Sequence, residues 1–214
     1  MIKKRILAAL ICAVVFAGVG FVACNEDSAE ENIVVKKNAT VEEDLLIAKF
    51  PKGSDKIELL FNIDSVALYT EREATKAILT NVIVEEISIV DNNPTDMNHK
   101  AHLSCASFLS ARGVSIRFLA EVVKYEDSET GDILYIAKEP KITGKCVGDN
   151  CRGKDDLTAC NYRFDEKGNF LGCTLCENEE GKCHSESSPV SSTTANNILS
   201  ALMNAIKLNL SIGL

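Results

Sequence analysis

Six of the chain's nine cysteines fall between Cys146 and Cys183, in the order C-x4-C-x8-C-x12-C-x2-C-x6-C. The residues between them are largely Gly, Asp, Asn, Lys and Glu, with few large apolar side chains. A stretch of about 40 residues of this kind buries too little apolar surface to fold on its own, so it needs covalent or metal staples. Three disulfides among Cys146, Cys151, Cys160, Cys173, Cys176 and Cys183 meet that need, and such density belongs to an oxidising compartment. Spacing alone does not choose the pairs. Cys160–Phe164 and Asn169–Thr174 flank Asp165-Glu166-Lys167-Gly168, which reads as a hairpin. With an even-membered loop that sets Phe164 opposite Asn169, Cys160 faces Cys173. With a three-residue loop and a bulge at Gly168, the two side chains point to opposite faces.

Two other chemistries compete for the same cysteines. Cys173-Thr174-Leu175-Cys176 is a CxxC, which serves as a redox pair where it opens a helix in a thioredoxin-like fold. Here it follows a hairpin strand and no βαβ pattern precedes it. Four of the cysteines, with His184 beside Cys183, could instead bind zinc or an iron–sulfur centre. Zinc ribbons use two CxxC pairs, and this segment has one. Disulfides are therefore the leading expectation, with the redox pair and the metal module as alternatives. No metal ligand, cofactor or catalytic residue is assigned.

Three cysteines stand apart: Cys12, Cys24 and Cys105. His99, His102 and Cys105 are three residues apart, which invites a metal site. On a helix, successive steps of three rotate the side chains by about −60°, so the outer two diverge by about 120°. Cys105 is expected to be a buried free thiol.

The amino end sets the address. Lys3, Lys4 and Arg5 are followed by an apolar run from Ile6 to Ala23, with no acid before Glu26. This is the layout of a secretory signal. Phe21-Val22-Ala23-Cys24 resembles the bacterial lipobox, in which the cysteine receives a diacylglyceryl thioether before cleavage. The resemblance implies lipidation of Cys24 and a mature chain anchored to the lipid bilayer, since the several acyl chains of that pathway hold where one does not. Asn25 to Asn32 carries four acids, no base and almost nothing apolar, the composition of a solvated tether. An acidic run just past a lipidated cysteine also resembles the surface-export signal of Bacteroidota lipoproteins. CVGDNC followed by GCTLC resembles the cysteine-rich tails of uncharacterised exported proteins of that group. Together these imply an outer-membrane lipoprotein, on either the surface or the periplasmic face.

Charge and composition exclude more than they name. The 214-residue chain has a net charge of −8, and removal of residues 1–23, which carry only Lys3, Lys4 and Arg5 as charged groups, takes it to −11. That acidity disfavours nucleic acid and favours solubility. Trp is absent and aromatics are 6% of the chain, so no rich aromatic sugar platform is evident. No nucleophile elbow, phosphate loop, HExxH or nucleotide fingerprint occurs. Adjacent acids such as Glu85-Glu86 and Asp155-Asp156 read as solvated faces.

Periodicity outlines the body. Ile57, Leu59, Phe61 and Ile63 alternate with more polar neighbours as in a strand preceded by a turn at Gly53-Ser54, and Val82 to Val90 reads as a strand stopped by Asp91-Asn92-Asn93-Pro94. Thr70 to Thr80 is rich in helix formers. Lys100 to Arg112 has small and apolar residues at helical intervals, with Gly113 placed as a left-handed cap. Val114 to Tyr125 and Asp132 to Lys138 read as a hairpin around Glu126 to Gly131. Thr193 to Asn209 places Ile198, Leu199, Leu202, Met203 and Ile206 on one stripe of a helix expected to pack on its own domain. The sum is an α+β chain: an antiparallel sheet with two or three helices and a small disulfide-rich module. Its expected parts are a signal peptide at 1–23, an acidic tether at 24–38, an α+β domain at 39–143, a cysteine-rich module at 144–186, and a linker with amphipathic helix at 187–214. The function expected is that of an envelope binding or structural module without catalysis, its partner unspecified.

Overall fold

Asn62 sets the first large element. Its side-chain oxygen accepts a hydrogen bond from the Ser65 amide at 2.9 Å and starts helix α1, Ile63–Ile78. Val66, Thr70 and Ala74, four residues apart, form the buried stripe of α1. The alternation of residues 57–64 therefore yields only a two-residue strand, β2 at Glu58–Leu59, beside β1 at Leu45–Phe50. The longer strand expected there gives way because the cap turns the chain into a helix, although Phe61 is buried as that pattern requires.

The computed structural model describes residues 44–138, 140–151, 160–174, 176, 181–185 and 192–212. The signal peptide, Cys12, the lipobox with Cys24 and the acidic tether lie outside the described residues.

Strands β3 (Val82–Val90), β4 (Ala101–Leu109), β5 (Val114–Glu126), β6 (Ile133–Ala137) and β7 (Ile142–Asp149) follow. The hairpin β8 (Tyr162–Phe164) and β9 (Phe170–Cys173), the short β10 (Lys182–His184) and helix α2 (Ser192–Ile212) complete the described elements. Every pairing is antiparallel. The 13-residue β5 is the hub: it pairs with β4 along Val114–Val122, with β7 along Val114–Ala120 and with β6 along Val123–Glu126. Beyond these, β3 adds to β4, β10 to β7, and β1 with β2 to β6. The fold is α+β: the described residues form an eight-stranded antiparallel sheet, two helices and a disulfide-rich C-terminal region.

Residues 100–112 form strand β4 and a single 3-10 turn, Ser110–Arg112, not a helix. β4 lies between β3 and β5 and is buried along both faces, so its sequence carries no alternation to mark it as a strand. Its odd-numbered residues Leu103, Cys105 and Leu109 share one core with Ile116, Phe118 and Val122 of β5 and with Ile198, Leu202 and Ile206 of α2. The stripe of α2 is thus spent inside the fold, and the Asn62 amide donates to Asn209 Oδ1 at 2.9 Å where the two helices meet.

Candidate functional site

The other face of the sheet carries the chain's chemistry. Register places His102, Ser104 and Ala106 of β4 beside Glu121, Leu119 and Arg117 of β5, and Gly144, Cys146 and Gly148 of β7 beside Leu119, Arg117 and Ser115. The β8–β9 hairpin lies over this surface. The Tyr162 hydroxyl donates to the Phe118 carbonyl at 2.8 Å and accepts from Ser104 at 3.1 Å, and burial pushes its ionisation above the ordinary phenol range. Arg117 reaches Asn161 Oδ1 at 2.8 Å and Glu86 Oε2 at 2.9 Å. The Phe170 ring sits on Gly144, where an added Cβ would lie 2.6 Å from it.

The tip of the hairpin is latched as well. His102 Nε2 donates to the Gly168 carbonyl at 2.9 Å, its ring stacks on Phe164, and the Lys100 amide donates to the Lys167 carbonyl at 2.9 Å. Burial holds the His102 imidazole below its usual range, partly opposed by the Gly168 bond. Gly168 has φ +78°, and a Cβ there would lie 2.6 Å from the Lys100 carbonyl oxygen, so the latch needs glycine for both shape and space.

Three disulfides fasten the same region: Cys146–Cys173, Cys151–Cys176 and Cys160–Cys183, with Cα–Cα distances of 5.7, 5.7 and 5.8 Å. Cys160 does not face Cys173. Tyr162 stands opposite Cys173, because the pairing slips between Arg163 and Phe164 and sets Phe164 against Phe170. Cys173 reaches back to the sheet and Cys160 reaches to β10. The CxxC is divided between two bonds, Cys173 to Cys146 and Cys176 to Cys151. Two of the disulfides touch, with Cys151 Sγ 3.4 Å from Cys183 Sγ, and the sulfurs of Cys151, Cys176 and Cys183 all lie within 4.8 Å of one another.

His99, His102 and Cys105 do not converge. His102 and Cys105 are three apart on a strand and face opposite ways. Cys105 is fully buried, and burial pushes its thiol up to about 12, which leaves it inert.

His99 belongs instead to a buried charge cluster that sequence reading missed. Asp91, at the end of β3, has a fully buried side chain. Its Oδ1 accepts from His99 Nδ1 at 2.9 Å, and its Oδ2 accepts from Lys124 Nζ at 2.9 Å and from the Tyr135 hydroxyl at 3.2 Å. Lys124, 3% exposed, also donates to the carbonyls of Asn93 at 3.1 Å and Asp96 at 2.6 Å. Burial, followed by the Asp91 charge, pushes the Tyr135 hydroxyl above its ordinary range. A readable signal was present: in Val122-Val123-Lys124-Tyr125, alternation puts a lysine at an inward position, and a buried cation requires partners. Asp91 borders a cavity of about 470 Å³ that Phe50, Ile57, Leu59 and Ile89 also line. Both its carboxylate oxygens are already engaged, so the cluster is arranged as a staple for the 91–99 loop and not as a general base.

Past Glu121 the same sheet face turns apolar, with Lys138 donating to the Tyr125 hydroxyl at 2.8 Å. Leu46 of β1, Ile136 of β6 and Val123 of β5 are lateral neighbours, as are Leu134 and Tyr125. All five are half-buried or exposed and lie outside the apolar core. Around them Lys49 pairs with Glu58, Lys138 with Asp44 and Lys100 with Glu121. No family model, curated protein or solved structure matches the chain.

Proposed function

We propose that the chain is a lipid-anchored protein of the bacterial cell envelope, held at the outer membrane through Cys24, that works by presenting a contact surface and not by catalysis. The observation that carries the binding part is the contiguous row of Leu46, Val123, Tyr125, Leu134 and Ile136, which strand register brings together on one sheet face. Contiguous apolar surface of this sort marks an interaction site. The disulfide framework supports the address, because such bonds persist in oxidising compartments. The lipobox-like Phe21-Val22-Ala23-Cys24 supports the anchor.

The partner this face fits is a second copy of the chain. Its rim holds three Lys–acid pairs and is locally neutral, although the chain as a whole is at −8. Two copies related by a two-fold axis can stack these faces without opposing like charges. Anchoring in one membrane raises the effective concentration of copies.

Two experiments test the two parts separately. Inhibiting the lipoprotein signal peptidase in a producing bacterium should accumulate an unprocessed precursor; unchanged release of a soluble mature form removes the anchor. Sedimentation velocity on the chain lacking residues 1–24 should show a dimer that Ile136→Glu abolishes with the circular dichroism unchanged. A wild-type chain that stays monomeric to about 100 μM removes the self-association.

A further inference from the structure

We infer that Cys151, Cys160, Cys176 and Cys183 form a two-state site: two touching disulfides when oxidised, and a tetrathiolate site for zinc when reduced. Three of the sulfurs gather at one place and the fourth is bonded to one of them. Cys151, Cys176 and Cys183 place theirs within 4.8 Å of one another, and Cys160 Sγ is bonded to that of Cys183. The unbonded approach of Cys151 to Cys183, 3.4 Å, joins the two bridges into one cluster.

A tetrahedral zinc tetrathiolate with bonds of about 2.3 Å has sulfur–sulfur edges of about 3.8 Å. Cys151 and Cys183 already stand near that spacing, at 3.4 Å, and Cys176 lies within 4.8 Å of both. To reach it the two bonded pairs open and Cys160 swings toward Cys151 and Cys176 by side-chain rotation. The Cα separations of the two pairs are 5.7 and 5.8 Å. Gly148 of β7 floors the cluster. A Cβ there would stand 3.1 Å from both Cys151 Cβ and Cys160 Sγ, so any side chain at this position would crowd the cluster.

The third bridge plays a different part. Cys146–Cys173 ties β9 to β7 and supplies no sulfur to the cluster, so it serves as a control inside the same protein. The conversion balances. Each of the two disulfides takes two electrons from a tertiary phosphine and two protons, giving two thiols while water's oxygen converts the phosphine to its oxide. One zinc ion then replaces the four thiol protons, which leave to solvent.

The test uses the full chain, reduced anaerobically with a tertiary phosphine and titrated with cobalt(II) and then zinc(II). The expected result is one ion per chain, the visible bands of tetrahedral sulfur-bound cobalt, and their displacement by zinc. Cys176→Ser and Cys160→Ser each weaken binding by roughly tenfold or more, while the Cys146→Ser/Cys173→Ser double variant keeps it. Four outcomes overturn the inference: a reduced chain that binds no stoichiometric ion, folded or unfolded by circular dichroism; cobalt bands of non-tetrahedral type; binding unaffected by Cys176→Ser and Cys160→Ser; or binding lost in the double variant.

Discussion

Replacing Lys124 by alanine is expected to lower the unfolding free energy by about 3–5 kcal/mol, among the largest effects available to a single substitution in this chain. The Lys124 side chain is 3% exposed and that of its partner Asp91 is fully buried. Removal of the lysine leaves Asp91 in the interior without its cation, held by His99, Tyr135 and the Asn93 amide, and takes the ammonium donor from the carbonyls of Asn93 and Asp96. Desolvation of an unpaired charge outweighs the few contacts that alanine keeps. Urea unfolding should show the midpoint falling at an unchanged m-value, and the melting temperature should drop by roughly 10 °C. The Asp91→Asn/Lys124→Met double variant should recover much of the loss, because removing both charges ends the penalty that removing one creates. A single variant as stable as the parent would mean that the cluster is not buried in solution.

The second large effect concerns the clamp. The Cys146→Ser/Cys173→Ser variant is expected to lose about 3–4 kcal/mol by the loop-closure entropy of a bridge spanning 27 residues. The loss should be local in its consequences. β7 remains paired to β5, so the main sheet persists, while the hairpin loses its direct covalent tie to β7 and keeps its latches at Tyr162 and His102, the Phe170 contact with Gly144 and the Cys160–Cys183 bridge to β10. Hydrogen exchange should therefore quicken in β8 and β9 before it quickens in β4 and β5. Equal loss of protection in both regions would contradict the description of the hairpin as a cover laid on a sheet that stands by itself.

How far the sequence reveals these features depends on which faces each element buries. β3, β5 and β6 were legible because β-branched residues, alternation and flanking turns agree over Val82–Val90 and Val114–Ala137. α2 was legible because one stripe is apolar and the rest is not. β4 was not. With helices and core on one side and the hairpin on the other, small residues such as Ser104 and Ala106 are required by the cover, and they resemble a helix in sequence. Residues 57–64 misled for the opposite reason, since real alternation there is cut short by a single capping side chain, Asn62.

The site was legible in content and not in wiring. Six clustered cysteines announce staples, yet which sulfurs meet depends on where the hairpin lies, and that is decided by contacts from Tyr162, Phe170 and Gly168 to β4, β5 and β7, which spacing does not encode. The Asp91–Lys124–His99 cluster was overlooked because its members are 8 and 33 residues apart along the chain and match no short motif. Only the inward lysine of β5 pointed to it.

The clamp itself is the central claim, and its wiring can be read directly. Digestion of the unreduced, thiol-blocked protein followed by mass spectrometry of the linked peptides should return Cys146 with Cys173, Cys151 with Cys176 and Cys160 with Cys183, leaving Cys105 unmodified until the chain is unfolded. A Cys173–Cys176 or Cys160–Cys173 link, or free thiols among the six, would contradict it.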